Sequence, residues 1–335
     1  LFIFLSLFNF ILFFSLDKIS QIFNIYDSPD GKLKLHKKKT PLIGGIILIA
    51  NFSIIFLYQI FFLDNFLSLN SNDFESFELL SLIILIYSLF FLGLYDDKYN
   101  LAPFKKLLLT ILIILISIFI NQKLVITNFT LSFYGKRIFF ENMSTIFTIF
   151  CILILINALN FYDGINGQSC IIFLVFFTYL LFISNFNFFY LYCIILILII
   201  TYYNFQNRLF LGDSGVYLLS IILSTSLIYE YNIHKNIIYA DEIFFLLLLP
   251  GFDLLRLTII RSFNSKSPFF GDRDHIHHLL IDKFSLVFSN IILFLLSILP
   301  IFLFIFSKQN FFLVISIFSI TYVFLILFLK SNDKK

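Results

Sequence analysis

Polar residues in this chain come in short bursts between long apolar runs. Eleven such runs stand out, over roughly 1–16, 42–63, 78–95, 104–121, 143–159, 170–184, 188–204, 214–230, 242–260, 286–306 and 311–329. A helix needs about 17–25 residues to cross a bilayer, and most of these runs reach that length. Lipid cannot satisfy open backbone groups, so each crossing must be a helix or part of a closed barrel. No ten-residue alternating pattern suggests a barrel. The pattern predicts an all-α polytopic membrane protein of about eleven transmembrane helices, a single domain over 1–335. The first run starts at Leu1 with no basic stretch and no small-residue cleavage site, so it reads as a span and not as a cleaved signal peptide. The missing initiator Met suggests an unusual start codon or a clipped end.

Composition supports this picture. Hydrophobic residues make up 60% of the chain and charged residues 13%, against about one half and one quarter in a soluble domain. The 51 Phe residues fit an AT-rich genome, so no single Phe carries functional weight. Cys151, Cys170 and Cys193 lie in or beside apolar runs and form neither a disulfide framework nor a CxxC metal pattern.

The net charge of +3 says little, but its distribution says more. Segments 17–41, 96–106, 157–169, 204–213, 256–285 and 330–335 hold eighteen of the 23 Lys and Arg residues. Positive charge stays cytoplasmic. The N-terminus is therefore expected outside and the C-terminus inside, in a cell inner membrane. The lysines read as topology signals or headgroup contacts, and nothing points to nucleic acid.

The unusual polar clusters fall on the cytoplasmic set. Asp96-Asp97 closes one span; two such carboxylates disfavour joint ionisation without a cation nearby, although a solvated helix end would look the same. Asn157, Asn160 and Asp163 are spaced three apart, which on a helix puts them on one face, and Gly164 and Gly167 follow. Such Asn residues also serve as inter-helix glue. Gly212-Asp213-Ser214-Gly215 opens another span, where Asp213 or Ser214 is either an N-cap or part of a phosphate site. The longest of these loops follows Asp253, Arg256 and Arg261 and ends Asp272-Arg273-Asp274-His275-Ile276-His277-His278. His275 and His278 would share a helical face, yet no Cys and no His-Glu-x-x-His pattern supports zinc. An anion-binding loop, with Arg and His as donors, is the other reading.

Together these clusters resemble the polyprenyl-phosphate N-acetylhexosamine-1-phosphate transferases, the MraY/WecA superfamily. The resemblance runs from Asp27 to about Lys283. It rests on an Asp-Asp pair after a span, an Asn-x-x-Asn-x-x-Asp-Gly segment, a Gly-Asp-x-Gly and a His-rich loop. The form Asp-His-Ile-His-His resembles the WecA-like branch, which starts surface glycans. One departure is Asn166, where many bacterial members carry a second Asp; an amide oxygen can still bind a hard cation but cannot be a base.

The resemblance implies an Mg²⁺-dependent reaction, with Mn²⁺ as an alternative. A UDP-N-acetylhexosamine and a polyprenyl phosphate lipid give the polyprenyl diphosphate sugar and UMP. It implies that Asp213 with Asn160 or Asn166 holds the metal. Asp96 and Asp97 would engage or deprotonate the lipid phosphate, and Asp163 would orient metal or nucleotide. Arg273, His275, His277 and His278 would hold the donor phosphates, with imidazoles that gain charge as pH falls near about 6.5. The rival is a transporter or flippase for an anionic phosphorylated solute, whose polar groups would lie near mid-membrane. The sugar and the oligomeric state, a homodimer included, stay open.

Overall fold

The computed structural model describes residues 1–29, 39–62, 76–233, 238–265, 273–307 and 310–331. Helices α1 (Phe2–Phe14) and α2 (Leu16–Phe23) meet at a 68° bend. A two-strand clip, β1 (Tyr26–Asp27) against β2 (Thr40–Pro41), leads into α3 (Gly44–Phe62). Then come α4 (Ser76–Tyr99) and α5 (Pro103–Ile120), and a hairpin of β3 (Asn128–Thr130) and β4 (Arg137–Phe139). Helices α6 (Ser144–Phe161), α7 (Gln168–Ile183), α8 (Phe188–Phe205) and α9 (Gly212–Ile233) follow. A second bent pair, α10 (Ala240–Leu246) and α11 (Leu248–Phe263), precedes the short α12 (Ile276–Ile281). The chain closes with α13 (Leu286–Phe306) and α14 (Phe311–Lys330).

Among the described residues, eight helices are long and apolar enough to cross a membrane, or ten if each bent pair is one span. Helix α7 is apolar but shorter. Each of the expected apolar runs falls on one of these elements, and the protein is a helical, multi-pass membrane protein. Segments 30–38 and 266–272, with Lys32, Lys34 and the start of the His-rich loop, lie outside the described residues.

The bundle is built around α9, 83% of whose apolar window is buried, against 22% for α5 and α14. Helix α9 packs on α3, α4, α6 and α7. Lipid tails are as apolar as Leu, so helices associate in membranes by close packing and hydrogen bonds. Both are present. A Cβ on Gly45 would meet the Gly215 nitrogen at 2.5 Å, and one on Gly93 would meet the Ser214 Cα at 2.6 Å. The two glycines let α3 and α4 lie against the first turn of α9. Deeper in the bundle, Asn51 donates to Asn9 Oδ1 (3.0 Å) and Tyr192 donates to Asn51 Oδ1 (2.5 Å), which ties α1, α3 and α8 together. These buried side chains act as inter-helix glue.

Candidate active site

The site end of the bundle begins where α4 runs out. Asp97 accepts hydrogen bonds from the backbone N–H groups of Asp213 (2.7 Å) and Ser214 (3.0 Å), in the first turn of α9. These are amides a helix cannot satisfy itself, and an anion there also meets the positive end of the helix dipole. Gly212, where α9 starts, has φ +68°, and a Cβ there would lie 2.7 Å from Asp97 Oδ2. Asp97 is thus a cap supplied by a neighbouring helix, and it fixes Asp213 in place.

Asp96 points elsewhere. It accepts from the Leu101 N–H (2.6 Å) and from the Lys106 ammonium (2.5 Å). The same ammonium forms an ion pair with Asp213, and it lies 4.9 Å from the centre of the Tyr217 ring. A positive charge therefore sits between two carboxylates from α4 and α9.

The Asn-rich segment is not one helical face. Helix α6 ends at Phe161, and the Asp163 N–H bonds only to the Asn160 carbonyl (3.3 Å). Gly167 takes φ +86°, and its N–H bonds to Asn204 Oδ1 (2.6 Å). The Asn166 amide nitrogen donates to Asn207 Oδ1 (2.7 Å), and the Asn166 carbonyl accepts from Asn290 (2.9 Å). The loop is thus pinned at Asn166 and Gly167 to the end of α8 and to α13.

These groups meet in a cavity of about 1130 Å³. Asp27, Asp96, Asp97, Asp163 and Asp213 line it, with Asn166, Asn207, Arg208 and His278. Asp163 is exposed and faces the cavity; the protein packed around it still desolvates its carboxyl and, with Asp97 and Asp27 nearby, raises its pKa to about 6. The oxygen donors suit a hard cation such as Mg²⁺. The ammonium already lodged between Asp96 and Asp213 is an independent sign that this donor set holds positive charge.

Of the four residues expected to hold donor phosphates, only His278 lines the cavity. Its Nδ1 is buried with no hydrogen-bond partner among the described residues. His275 and His278 do not share a helical face, because α12 starts at Ile276 and His275 is its N-cap residue. His275 Nδ1 is 2.8 Å from Asp253. His277 is 1% exposed and lies 3.1 Å from Gln168 Nε2, with its Nε2 1.9 Å from where a Gly164 Cβ would be. Arg273 donates to Asp282 (2.6 Å), the C-cap residue of α12. Asn160 also lies outside the cavity wall.

Two of the imidazoles, His277 and His278, are held below the ordinary imidazole range. Burial, helped by Arg273 and His275, pulls His278 down to about 4. Burial and the neighbouring His278 and His275 hold His277 well below its ordinary value. At neutral pH His278 is an uncharged donor or acceptor.

Asp253, His275 and His277 bring potential ligand atoms within 4.8 Å of one another. Arg256 already donates to that carboxylate at 2.7 Å, and Arg261 lies 3.5 Å from His275 Nε2. Two guanidinium groups disfavour a cation there.

Sequence reasoning gave no site role to Lys106, Asn204, Asn207 or Arg208. Lys106 read as one of many topology charges, although a Lys at the start of an apolar run, beside an Asp-Asp pair, was the available signal. Asn204 and Asn207, three apart at a span end, were another.

Comparison with known proteins follows the same residues. The model of glycosyl transferase family 4 matches residues 79–230, which contain Asp96, Asp97, Lys106, Asp163, Asn166 and Asp213. The chain is 24% identical over 291 residues to an undecaprenyl-phosphate alpha-N-acetylglucosaminyl 1-phosphate transferase of Yersinia pestis, covering 83% of this chain and 75% of that protein. It is 25% identical over 294 residues to the Escherichia coli K12 protein of the same name, covering 84% and 74%. A phospho-N-acetylmuramoyl-pentapeptide-transferase of Petrotoga mobilis is 29% identical over 246 residues, 67% of this chain and 72% of that protein.

Proposed function

We propose that this chain, a member of the polyprenyl-phosphate N-acetylhexosamine-1-phosphate transferase superfamily, moves N-acetylglucosamine 1-phosphate from its UDP donor to a polyprenyl phosphate such as undecaprenyl phosphate. An oxygen of the lipid phosphate attacks the phosphorus that bears the sugar. The bond from that phosphorus to the bridging oxygen breaks, and UMP leaves with that oxygen.

One observation carries the reading. Five carboxylates line a single cavity at one end of a membrane bundle, together with Arg208 and His278, and Lys106 sits against two of them. Such a cavity repels a diphosphate unless cations are held in it. Phosphoryl transfer needs positioning and charge neutralisation more than covalent chemistry. A site of held cations beside the lipid surface suits an acceptor whose tail lies in the bilayer.

Asp213, with the amide oxygen of Asn166, would hold Mg²⁺, which neutralises phosphate charge when bound. Asp97 orients Asp213 through the first turn of α9. Asp96 holds Lys106, whose ammonium can meet a phosphate oxygen. Asp163, exposed in the cavity and with a raised pKa, can take a proton from a singly ionised lipid phosphate. His278 meets the donor phosphates as a neutral imidazole, and Arg208 meets them as a cation.

We take the site end as cytoplasmic, in an eleven-span arrangement with the N-terminus outside, because eighteen of the 23 basic residues fall on that side. The test uses purified protein in detergent with labelled UDP-N-acetylglucosamine, undecaprenyl phosphate and Mg²⁺. Label is expected in the lipid phase with equimolar UMP. No lipid label from any UDP-N-acetylhexosamine would sink the proposal.

A further inference from the structure

Asp253 is 2% exposed and stands away from the cavity wall, yet it gathers four donors. Its carboxylate accepts from Arg256 Nη2 (2.7 Å), the Tyr322 hydroxyl (2.8 Å), His275 Nδ1 (2.8 Å) and the Ile276 N–H (3.2 Å). These come from α11, α14 and the entrance of α12. Arg256 reinforces the cluster by donating to the Asp274 carbonyl (2.5 Å) and to the Tyr322 oxygen (2.9 Å).

Helix α12 needs such an anchor. It has six residues, too few to be stable alone. Its N-cap residue, His275, makes no side-chain cap. Asp253 does the capping from another helix, on the Ile276 N–H. The next residues of α12 include His278 and Ile281, which stand in the cavity wall. A shift at Ile276 therefore moves His278.

Resting on the transferase reading above, we infer that Asp253 is a positioning residue: with Tyr322 it fixes the start of α12 and so sets where His278 meets the phosphates of the nucleotide-sugar. It touches no substrate. Helix α14 thereby becomes part of the donor site, through the Tyr322 hydroxyl.

The experiment compares Asp253→Asn and Tyr322→Phe with the wild type in two ways. Hydrogen exchange reads the amides of 276–281 against those of 212–220. Steady-state kinetics read KM for UDP-N-acetylglucosamine and for polyprenyl phosphate separately. Asp253→Asn should speed exchange in 276–281 alone and raise the donor KM about tenfold or more, with the acceptor KM unchanged, since a buried bond to a charged group is lost. Tyr322→Phe, which keeps its ring packing against Phe252 and Phe318, should do the same to a smaller degree. If Asp253→Asn does not purify, Tyr322→Phe decides. Unchanged exchange in 276–281 overturns the anchor. Faster exchange with an unchanged donor KM, or with both KM values raised alike, overturns the positioning role. A wild type that transfers no sugar phosphate overturns the transferase reading and the donor role with it, while exchange still decides the anchor.

Discussion

Asp97→Asn separates two accounts of the Asp-Asp pair, one in which Asp97 acts on the lipid phosphate and one in which it holds α9. In the structure Asp97 accepts from the N–H groups of both Asp213 and Ser214. Asn keeps one acceptor oxygen and turns an NH₂ toward the other N–H. One charge-assisted bond is lost, worth roughly 1.5–3 kcal/mol. The interaction of a negative charge with the helix N-terminus goes too, about 0.3–1 kcal/mol more. If half or more of this appears as misplacement of Asp213, transfer should fall on the order of tenfold. The holding account adds two signatures. The variant should melt at a lower temperature in detergent, and it should need more Mg²⁺ for half-maximal rate, because Asp213 is no longer fixed. The assay is lipid-phase label against Mg²⁺ concentration, beside a thermal scan. A variant with a reduced rate but wild-type melting and wild-type Mg²⁺ dependence would refute the holding account.

Asp213→Ala should abolish transfer while the protein still inserts and purifies; near wild-type rates at saturating Mg²⁺ would remove Asp213 from the site. Asp163→Asn should stabilise the protein while lowering its activity. Its folded pKa of about 6 lies above the ordinary Asp value of about 3.8, so its favourable contribution is full below about 3.8 and is lost as pH rises through about 6. Melting scans should show a gain for the variant that grows over that window and then levels off; a loss at pH 8 would contradict this. Cysteines placed at Tyr134 and Ser265 should be labelled from opposite faces of the membrane; labelling of both from the same face would break the eleven-span arrangement.

The fold was legible because one physical demand dominates it. Backbone in lipid must be helical, so apolar runs such as 286–306 and 311–329 translate directly into α13 and α14. The bent pairs were not legible. Nothing in Ile11 to Ile19 marks a 68° turn between α1 and α2 beyond the single Ser15. The buried triangle of Asn9, Asn51 and Tyr192 also escaped notice, because each is one polar residue in a separate apolar run and only packing brings them together.

The candidate site was legible by chemistry but not by geometry. Rare residue types in an apolar chain are conspicuous, so Asp96, Asp97, Asp163, Asp213 and the His cluster could be named from the sequence. Sequence spacing then misled where it stood in for shape. The interval of three that joined Asn160 to Asp163 assumed a helix that stops at Phe161. Similarly, three His residues in four positions suggested three phosphate donors. Here the three rings lie against one another, yet each has a different partner: His275 meets Asp253, His277 meets Gln168, and His278 stands in the cavity wall. Lys106 shows the opposite failure. Its type is common at membrane surfaces, so only its place between Asp96 and Asp213 sets it apart. A lysine that marks topology and one that neutralises an acidic site are the same letter in the sequence, and the carboxylates they face tell them apart.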